Sequence, residues 1–259
     1  MHHTATPSTG QVTLVGAGPG DPELLTLKAA KAIAQADTLF VDDLVNPAIL
    51  SHANPQARII HVGKRGGCTS TPQAFIEKAI VAAALQGERV VRLKGGDPFI
   101  FGRGGEEVAT LESHGIRVEV IPGITSGTAA LTTLNTPLTH RDCAQGVVFV
   151  TGHAKADSQG VNWTQLAETA SQQRLTLVIY MGMAQVSDIA HGLVQGLSPQ
   201  TPVAVVQHAT LPQQRHACCT LGTLAETIER HGLGSPAVLV IGEVTKGLLS
   251  LSAPQTLAA

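Results

Sequence analysis

Apolar positions in this chain fall into short runs separated by longer stretches of helical spacing. In the first half QVTLV, DTLFV, ARIIHV, VVRL and IRVEVI are short apolar or alternating segments that end on glycine, proline or acidic residues, and they read as strands. Helical patterns stand between them, from about Pro22 to Ala36, from Thr71-Pro72 to Gly87 and from about Glu106 to His114, where Gly115 supplies a left-handed cap. The second half repeats the alternation with the runs Val147–Thr151, LTLVIY, TPVAVV, His216–Leu221 and PAVLVIG. With four or more strands on each side of residue 125, the chain is expected to form two α/β domains, 11–123 and 124–246, with a ligand cleft between them. Residues 1–10 and the tail after Lys246 read as loosely ordered, and 154–160 as a polar loop.

Composition sharpens this picture. Of 259 residues, 43% are hydrophobic, 14% charged and 3% aromatic, which predicts a large core of alanine, valine and leucine with helices packed closely on a parallel sheet. The net charge of −2 gives no electrostatic case for nucleic acid. No apolar run reaches membrane-spanning length, and MHHTATPSTG lacks the charged and apolar regions of a secretory signal, so a cytoplasmic protein is expected. Cys68, Cys143, Cys218 and Cys219 have no C-x-x-C spacing, the histidines have no ligand spacing, and no metal is expected.

Candidate chemistry gathers at strand ends. In VVRLKGGDPFIFGRGGEE, residues 90–107, a strand breaks at Gly95-Gly96-Asp97-Pro98, and a second glycine cluster around Arg103 opens a helix. Paired glycines let a ligand approach the backbone, Asp97 can accept hydrogen bonds, and an arginine flanked by glycines is expected on a mobile, exposed segment that meets an anion. The first strand ends at Gly16-Ala17-Gly18-Pro19-Gly20-Asp21-Pro22, with Asp21 as helix N-cap. The dinucleotide fingerprint G-x-G-x-x-G fails there, because Asp21 stands where the last glycine belongs and would repel a pyrophosphate. A ligand carrying positive charge suits this turn better. Asp42-Asp43 and Lys64-Arg65 close two further strands, where open α/β sheets bind ligands, and the cations suit an anionic substrate. Pro122-Gly123-Ile124-Thr125-Ser126 is the expected junction, its two hydroxyls facing a ligand, and Met181 ends a strand in the second half.

The segments VTLVGAGPGDPELLTLKAAKAI, VDDLV, VGKRGG, VVRLKGGDPFIFGRGGEE, VIPGITSGTAA, PLTHRDCAQ, VTGH, VIYMG and TPVAVV occur in the order found in uroporphyrinogen-III C-methyltransferases. Over residues 11 to 245 the chain resembles that family, the S-adenosylmethionine-dependent tetrapyrrole methyltransferases, in its monofunctional form. The resemblance implies a two-domain fold, a homodimer, and transfer of two methyl groups from S-adenosyl-L-methionine to carbons 2 and 7 of uroporphyrinogen III. The products would be precorrin-2, by way of precorrin-1, and S-adenosyl-L-homocysteine. It implies cofactor contacts at Pro19, Gly95, Gly96, Asp97, Ile100, Thr125, Ser126, Met181 and Ala209, a proton acceptor at Asp42 and a proton donor at Lys64. Arg103 and Glu106 match positions tied to substrate binding or proton removal. Lys64, Arg65, Arg103 and Arg141 would pair with the carboxylates of the macrocycle. Val41 and Ala209 stand where the family commonly has tyrosine and glycine.

Overall fold

The computed structural model describes residues 10–63, 73–153 and 160–251. Lys64, Arg65 and the 154–159 part of the expected polar loop lie outside them. The chain is α/β and divides into two compact units that meet between Thr125 and Ser126.

The first unit runs β1 (Gln11–Gly16), α1 (Leu27–Gln35), β2 (Thr38–Val41), β3 (Arg58–His61), α2 (Gln73–Leu85), β4 (Val90–Lys94), α3 (Gly104–Ser113) and β5 (Arg117–Ile121). Its strands form one sheet in the order β3-β2-β4-β1-β5, and every pair is parallel. All five carboxyl ends therefore lie on one edge, the edge at which open α/β sheets bind ligands. Side chains alternate across the sheet with period two. On one face Val12, Leu14, Phe40, Val62 and Val90 pack against Ile76, Ile80, Val81 and Ala84 of α2 and Leu111 of α3. On the other, Val15, Leu39, Val41, Val91, Leu93 and Ile121 pack against Ala29 and Ile33 of α1 and Ile49.

The helix expected from Pro22 to Ala36 is split. Asp21 accepts a hydrogen bond from the Glu23 amide at 2.9 Å and caps a single 3-10 turn, Pro22–Leu24. Leu25 and Thr26 are extended, and the Thr26 hydroxyl accepts the Ala29 amide at 3.1 Å, starting α1 afresh. Two polar residues able to cap lie five positions apart, and each serves its own start.

The second unit runs α4 (Ser126–Thr132), β6 (Gly146–Thr151), α5 (Trp163–Gln173), β7 (Leu175–Tyr180), α6 (Val186–Leu193), β8 (Pro202–Gln207), β9 (Arg215–Thr220), α7 (Leu224–His231), β10 (Ala237–Ile241) and α8 (Lys246–Leu251). The expectation of parallel strands fails here. The order is β6-β7-β10-β8-β9; β6 and β7 are parallel, whereas β10 runs against both of its neighbours and β9 against β8. Only seven residues, 208–214, separate Gln207 at the end of β8 from Arg215 at the start of β9, and a hairpin is antiparallel by necessity. The core of this unit joins Leu177, Ile179, Val203, Val205, Leu239 and Ile241 to Ile189, Leu193, Leu224 and Ile228. Cys219 is buried among them, and burial raises its thiol above the ordinary range, in keeping with a packing role. The start of the expected loose tail is also corrected, since Lys246–Leu251 is helical.

Candidate active site

Backbone meets backbone at the carboxyl edge of the first sheet. Gly18 and Gly96 exchange hydrogen bonds, amide to carbonyl, at 3.2 and 2.7 Å, and the Ala17 amide donates to the Lys94 carbonyl at 2.8 Å. Both glycines hold positive φ, +75° and +68°, a region that costs other residues energy. A Cβ on Gly123 would sit 2.2 Å from the Gly96 carbonyl oxygen, and one on Gly16 only 2.5 Å from the Gly123 amide nitrogen. The turns after β1, β4 and β5 thus close on one another with no room for side chains.

Asp97 binds this arrangement together. One carboxylate oxygen accepts the Phe99 amide at 2.8 Å, and the other accepts the Gly123 amide at 3.1 Å. The acid therefore staples the β4 turn to the β5 turn. Beside it Pro19 and Ile100 are half-buried and Thr125 is buried. Leu44, Phe99 and Phe101 are exposed. Gly95 faces Leu44, whose Cβ lies 2.7 Å from where its own would be.

Arg103 is exposed, as expected, and the structure gives it a partner. It caps α3 in the left-handed conformation with φ of +59°, and its guanidinium is paired with the Glu106 carboxylate, with Nε 3.1 Å from one oxygen. Glu106 stands in the first turn of α3, where a negative charge also suits the helix dipole. The hydrogen bond to Glu106 raises the guanidinium further above its ordinary range, so Arg103 stays charged.

Beneath this edge lies a group of charges that the pattern reading passed over as an apolar strand. Val90, Arg92 and Lys94 alternate toward α2 and α3, and Arg92 and Lys94 are buried. Glu107 of α3 is fully buried between them. Its Oε1 accepts Arg92 Nε at 3.1 Å and the Gln73 amide at 2.9 Å, and Lys94 Nζ lies 3.0 Å from its Oε2. Arg92 also donates to the Phe40 and Leu93 carbonyls, at 3.4 and 3.3 Å. Its Nη2 lies 3.9 Å from Oδ1 of Asp42, at the end of β2. Burial pushes the Glu107 carboxyl upward, but the Arg92 and Lys94 charges and the Gln73 amide outweigh it and hold the group below the ordinary glutamate range. Burial, reinforced by Arg92, pushes the Lys94 ammonium down despite Glu107. Two cations two positions apart on a strand with hydrophobic neighbours, where both must point the same way, are the sequence signal that a buried acid is required.

In the second unit, β7 and β8 both run against β10, so their carboxyl ends share an edge. Met181 follows β7 with φ of +53°, half exposed, and buried Ala209 follows β8 between His208 and Thr210, at φ of +52° and +69°. Left-handed conformations at non-glycine residues are unfavourable and concentrate at functional sites. Ser126 opens α4, which is tied to this edge by the Gly127 amide donating to the Tyr180 hydroxyl at 2.7 Å. The structure thus brings Ser126, Met181 and Ala209 to one end of the sheet. Arg141 is at the other end. The carbonyl of neighbouring Asp142 accepts from Arg174, which precedes β7, and a six-residue strand spans about 20 Å. Among the described residues no three His, Cys, Asp or Glu side chains group as metal ligands do, and no helix is long and apolar enough to cross a membrane.

Comparison with known proteins accords with this geometry. Residues 11–225 match the tetrapyrrole (corrin/porphyrin) methylases. The chain is 52% identical over 243 residues to the uroporphyrinogen-III C-methyltransferase of Pseudomonas aeruginosa, covering 93% of this chain and 97% of that one. It is 51% identical over 236 residues to a siroheme synthase of Neisseria meningitidis serogroup B, covering 91% of this chain but only 48% of that longer protein. The crystal structure of uroporphyrin-III C-methyl transferase from Thermus thermophilus complexed with S-adenyl homocysteine superposes with a TM-score of 0.77 at 38% identity, covering 92% of this chain and 94% of that one.

Proposed function

From the premise that this chain belongs to the tetrapyrrole (corrin/porphyrin) methylases, we propose that it is an S-adenosylmethionine-dependent C-methyltransferase acting on uroporphyrinogen III. The observation that carries the reading is the 52% identity to a uroporphyrinogen-III C-methyltransferase across nearly the whole of both chains. We further assign methylation to carbons 2 and 7, by way of precorrin-1 to precorrin-2, with release of S-adenosyl-L-homocysteine. We also propose a cytoplasmic homodimer built of two domains, 11–123 and 124–246. Sedimentation of the purified protein as a monomer at micromolar concentration would overturn the dimer.

The residues at the first edge suit the cofactor. A Cβ placed on Gly96 would meet nothing nearer than the Thr125 Cα at 3.9 Å, so the Cβ side of Gly96 is open, whereas Gly95 faces Leu44. Exposed apolar side chains stand beside it, and Asp97 adds a negative charge favourable to a sulfonium and unfavourable to a phosphate. We assign cofactor binding to Pro19, Gly95, Gly96, Asp97, Ile100 and Thr125 in the first unit, and to Ser126, Met181 and Ala209 in the second. When bound, S-adenosylmethionine supplies an electrophilic methyl carbon. The chain supplies position: orienting two reactants can contribute on the order of 7–11 kcal/mol. Asp42 takes the proton that the methylated macrocycle must lose in exchange for the methyl cation and passes it to solvent, and Lys64 is assigned as proton donor on the resemblance; such general acid–base work contributes about 10²–10⁴-fold. Arg103 is too weak an acid to serve as base, and we assign it to a substrate carboxylate, with Glu106 holding it in place. Lys64 and Arg65 have the same anchoring role; Arg141 joins them on the resemblance alone.

The test is direct. Uroporphyrinogen III incubated with methyl-labelled S-adenosylmethionine is expected to gain two labels per macrocycle. Labelling of another tetrapyrrole but not this one would move the assignment to a later methylation, and tight cofactor binding without turnover on any tetrapyrrole would indicate a sensor.

A further inference from the structure

The first unit buries three charged side chains of which the proposed chemistry makes no use. Glu107 touches Arg92 through one carboxylate oxygen and Lys94 through the other, at 3.1 and 3.0 Å, and Arg92 reaches on toward Asp42 at 3.9 Å. Asp42, Arg92 and Lys94 lie on the face of the sheet that packs against α2 and α3. Among the described residues, the charged groups that face Asp42 there are Arg92 and Lys94 from β4 and Glu107 from α3, with Gln73 and Glu77 joined to the same network from α2. Asp43 is its chain neighbour and packs against Gly63.

We infer that Glu107 is a positioning residue for the reaction: by engaging Arg92 and Lys94 it determines how closely those two cations hold Asp42. The inference rests on the reading of Asp42 as the proton acceptor. Two cations beside a single carboxylate would bind it as a fixed ion pair, and a carboxylate so bound is a poor base. Glu107 divides their charge. It takes the Nε side of Arg92 and leaves Nη2 at a distance of 3.9 Å from Asp42, longer than a hydrogen bond. It also draws the Lys94 ammonium toward α3. Glu107, Arg92 and Lys94 are buried, so water screens the balance among them little; the Asp42 side chain is 34% exposed and receives it in part. Gln73 fixes the orientation of the carboxylate from α2.

The experiment follows the Asp42 carboxyl carbon by NMR in protein labelled at aspartate, with Asp42→Asn to assign the signal, alongside steady-state methyl transfer to uroporphyrinogen III. In Glu107→Gln the Asp42 signal is expected to titrate at lower pH than in the unsubstituted protein, since a negative charge beside the two cations is removed. The turnover number should fall about tenfold, a part of what a general base contributes. KM and the affinity for S-adenosylhomocysteine should stay within about threefold. Glu107→Asp keeps the charge but is too short to span both cations, and it should fall between the two. Should Glu107→Gln fail to fold, Glu107→Asp decides the matter. An unmoved Asp42 titration in a folded variant overturns the inference, as does a loss of turnover and cofactor affinity in equal proportion. If the unsubstituted protein does not methylate uroporphyrinogen III, the functional reading fails, while the Asp42 titration still tests the linkage to Glu107.

Discussion

The two sheets of this chain contain the same number of strands and differ in direction and in what they bury. In the first, all strands are parallel, so five carboxyl ends and their turns share one edge. There the glycines of three turns pack backbone to backbone, Asp97 ties two of them, and Arg92, Lys94 and Glu107 are buried beneath. In the second, β9 and β10 run against the other strands, so that only three carboxyl ends share an edge, and strands β7, β8 and β10 are nearly continuous apolar runs. The comparison teaches that direction governs where chemistry can collect. A parallel sheet brings many loop starts to one place, and the polar groups concentrated there need internal partners, which here are charges. A mixed sheet with fewer such loops is held by apolar packing.

The largest effect expected from breaking this contrast is in the buried charges. Glu107→Ala leaves two cations without their acid and should cost about 3–5 kcal/mol of stability, read by chemical denaturation. The matching change in the second sheet is Leu239→Ala, which opens a cavity in a fully buried position and should cost about 2–5 kcal/mol with no charge involved. The pair separates by pH. Glu107 is held below the ordinary glutamate range in the native chain, so its contribution is present above about pH 4.3 and is lost as pH falls through the depressed native value. Stability of the unsubstituted protein and of Leu239→Ala should therefore share an acid-dependent loss that Glu107→Ala lacks; parallel acid profiles in all three would show that the buried charges do not act as described.

Gly123→Ala comes next. Its Cβ would meet a carbonyl oxygen at 2.2 Å, and because that oxygen belongs to the Gly96 backbone the turn must move, at about 1–3 kcal/mol. Affinity for S-adenosylhomocysteine, measured by calorimetry, should fall at least tenfold, while Gly105→Ala, with open space at its Cβ, should change it little. The smallest effect on stability is expected of Arg103→Ala, whose pair with Glu106 is exposed and contributes about 0–1 kcal/mol. Its effect should appear in turnover on the polyacidic substrate, with cofactor affinity retained; the opposite result would place Arg103 on the cofactor side.

Several features were legible in the sequence because they depend on neighbours in the chain. The strands of the first sheet, the cap at Asp21, the left-handed Gly115 and the break at Gly95-Gly96 follow from local pattern and turn chemistry. The restart of α1 at Thr26 was obscured because Asp21 and Thr26 are both good caps, and the helical register of the apolar residues runs through both. The pairing of Arg103 with Glu106 was obscured because the two lie only one turn apart and each looked like a separate candidate.

By itself, then, the sequence determined which segments become strands and helices, that glycine turns end the strands, and which family these motifs resemble, since all of these are set by residues close along the chain. Only the tertiary structure decided that the second sheet is mixed, that Asp97 accepts an amide 26 residues away, and that Glu107 lies between Arg92 and Lys94. The reason is physical. Strand direction and the pairing of buried charges are fixed by what is folded against them, and a single strand with alternating cations gives no indication of which distant acid will neutralise them.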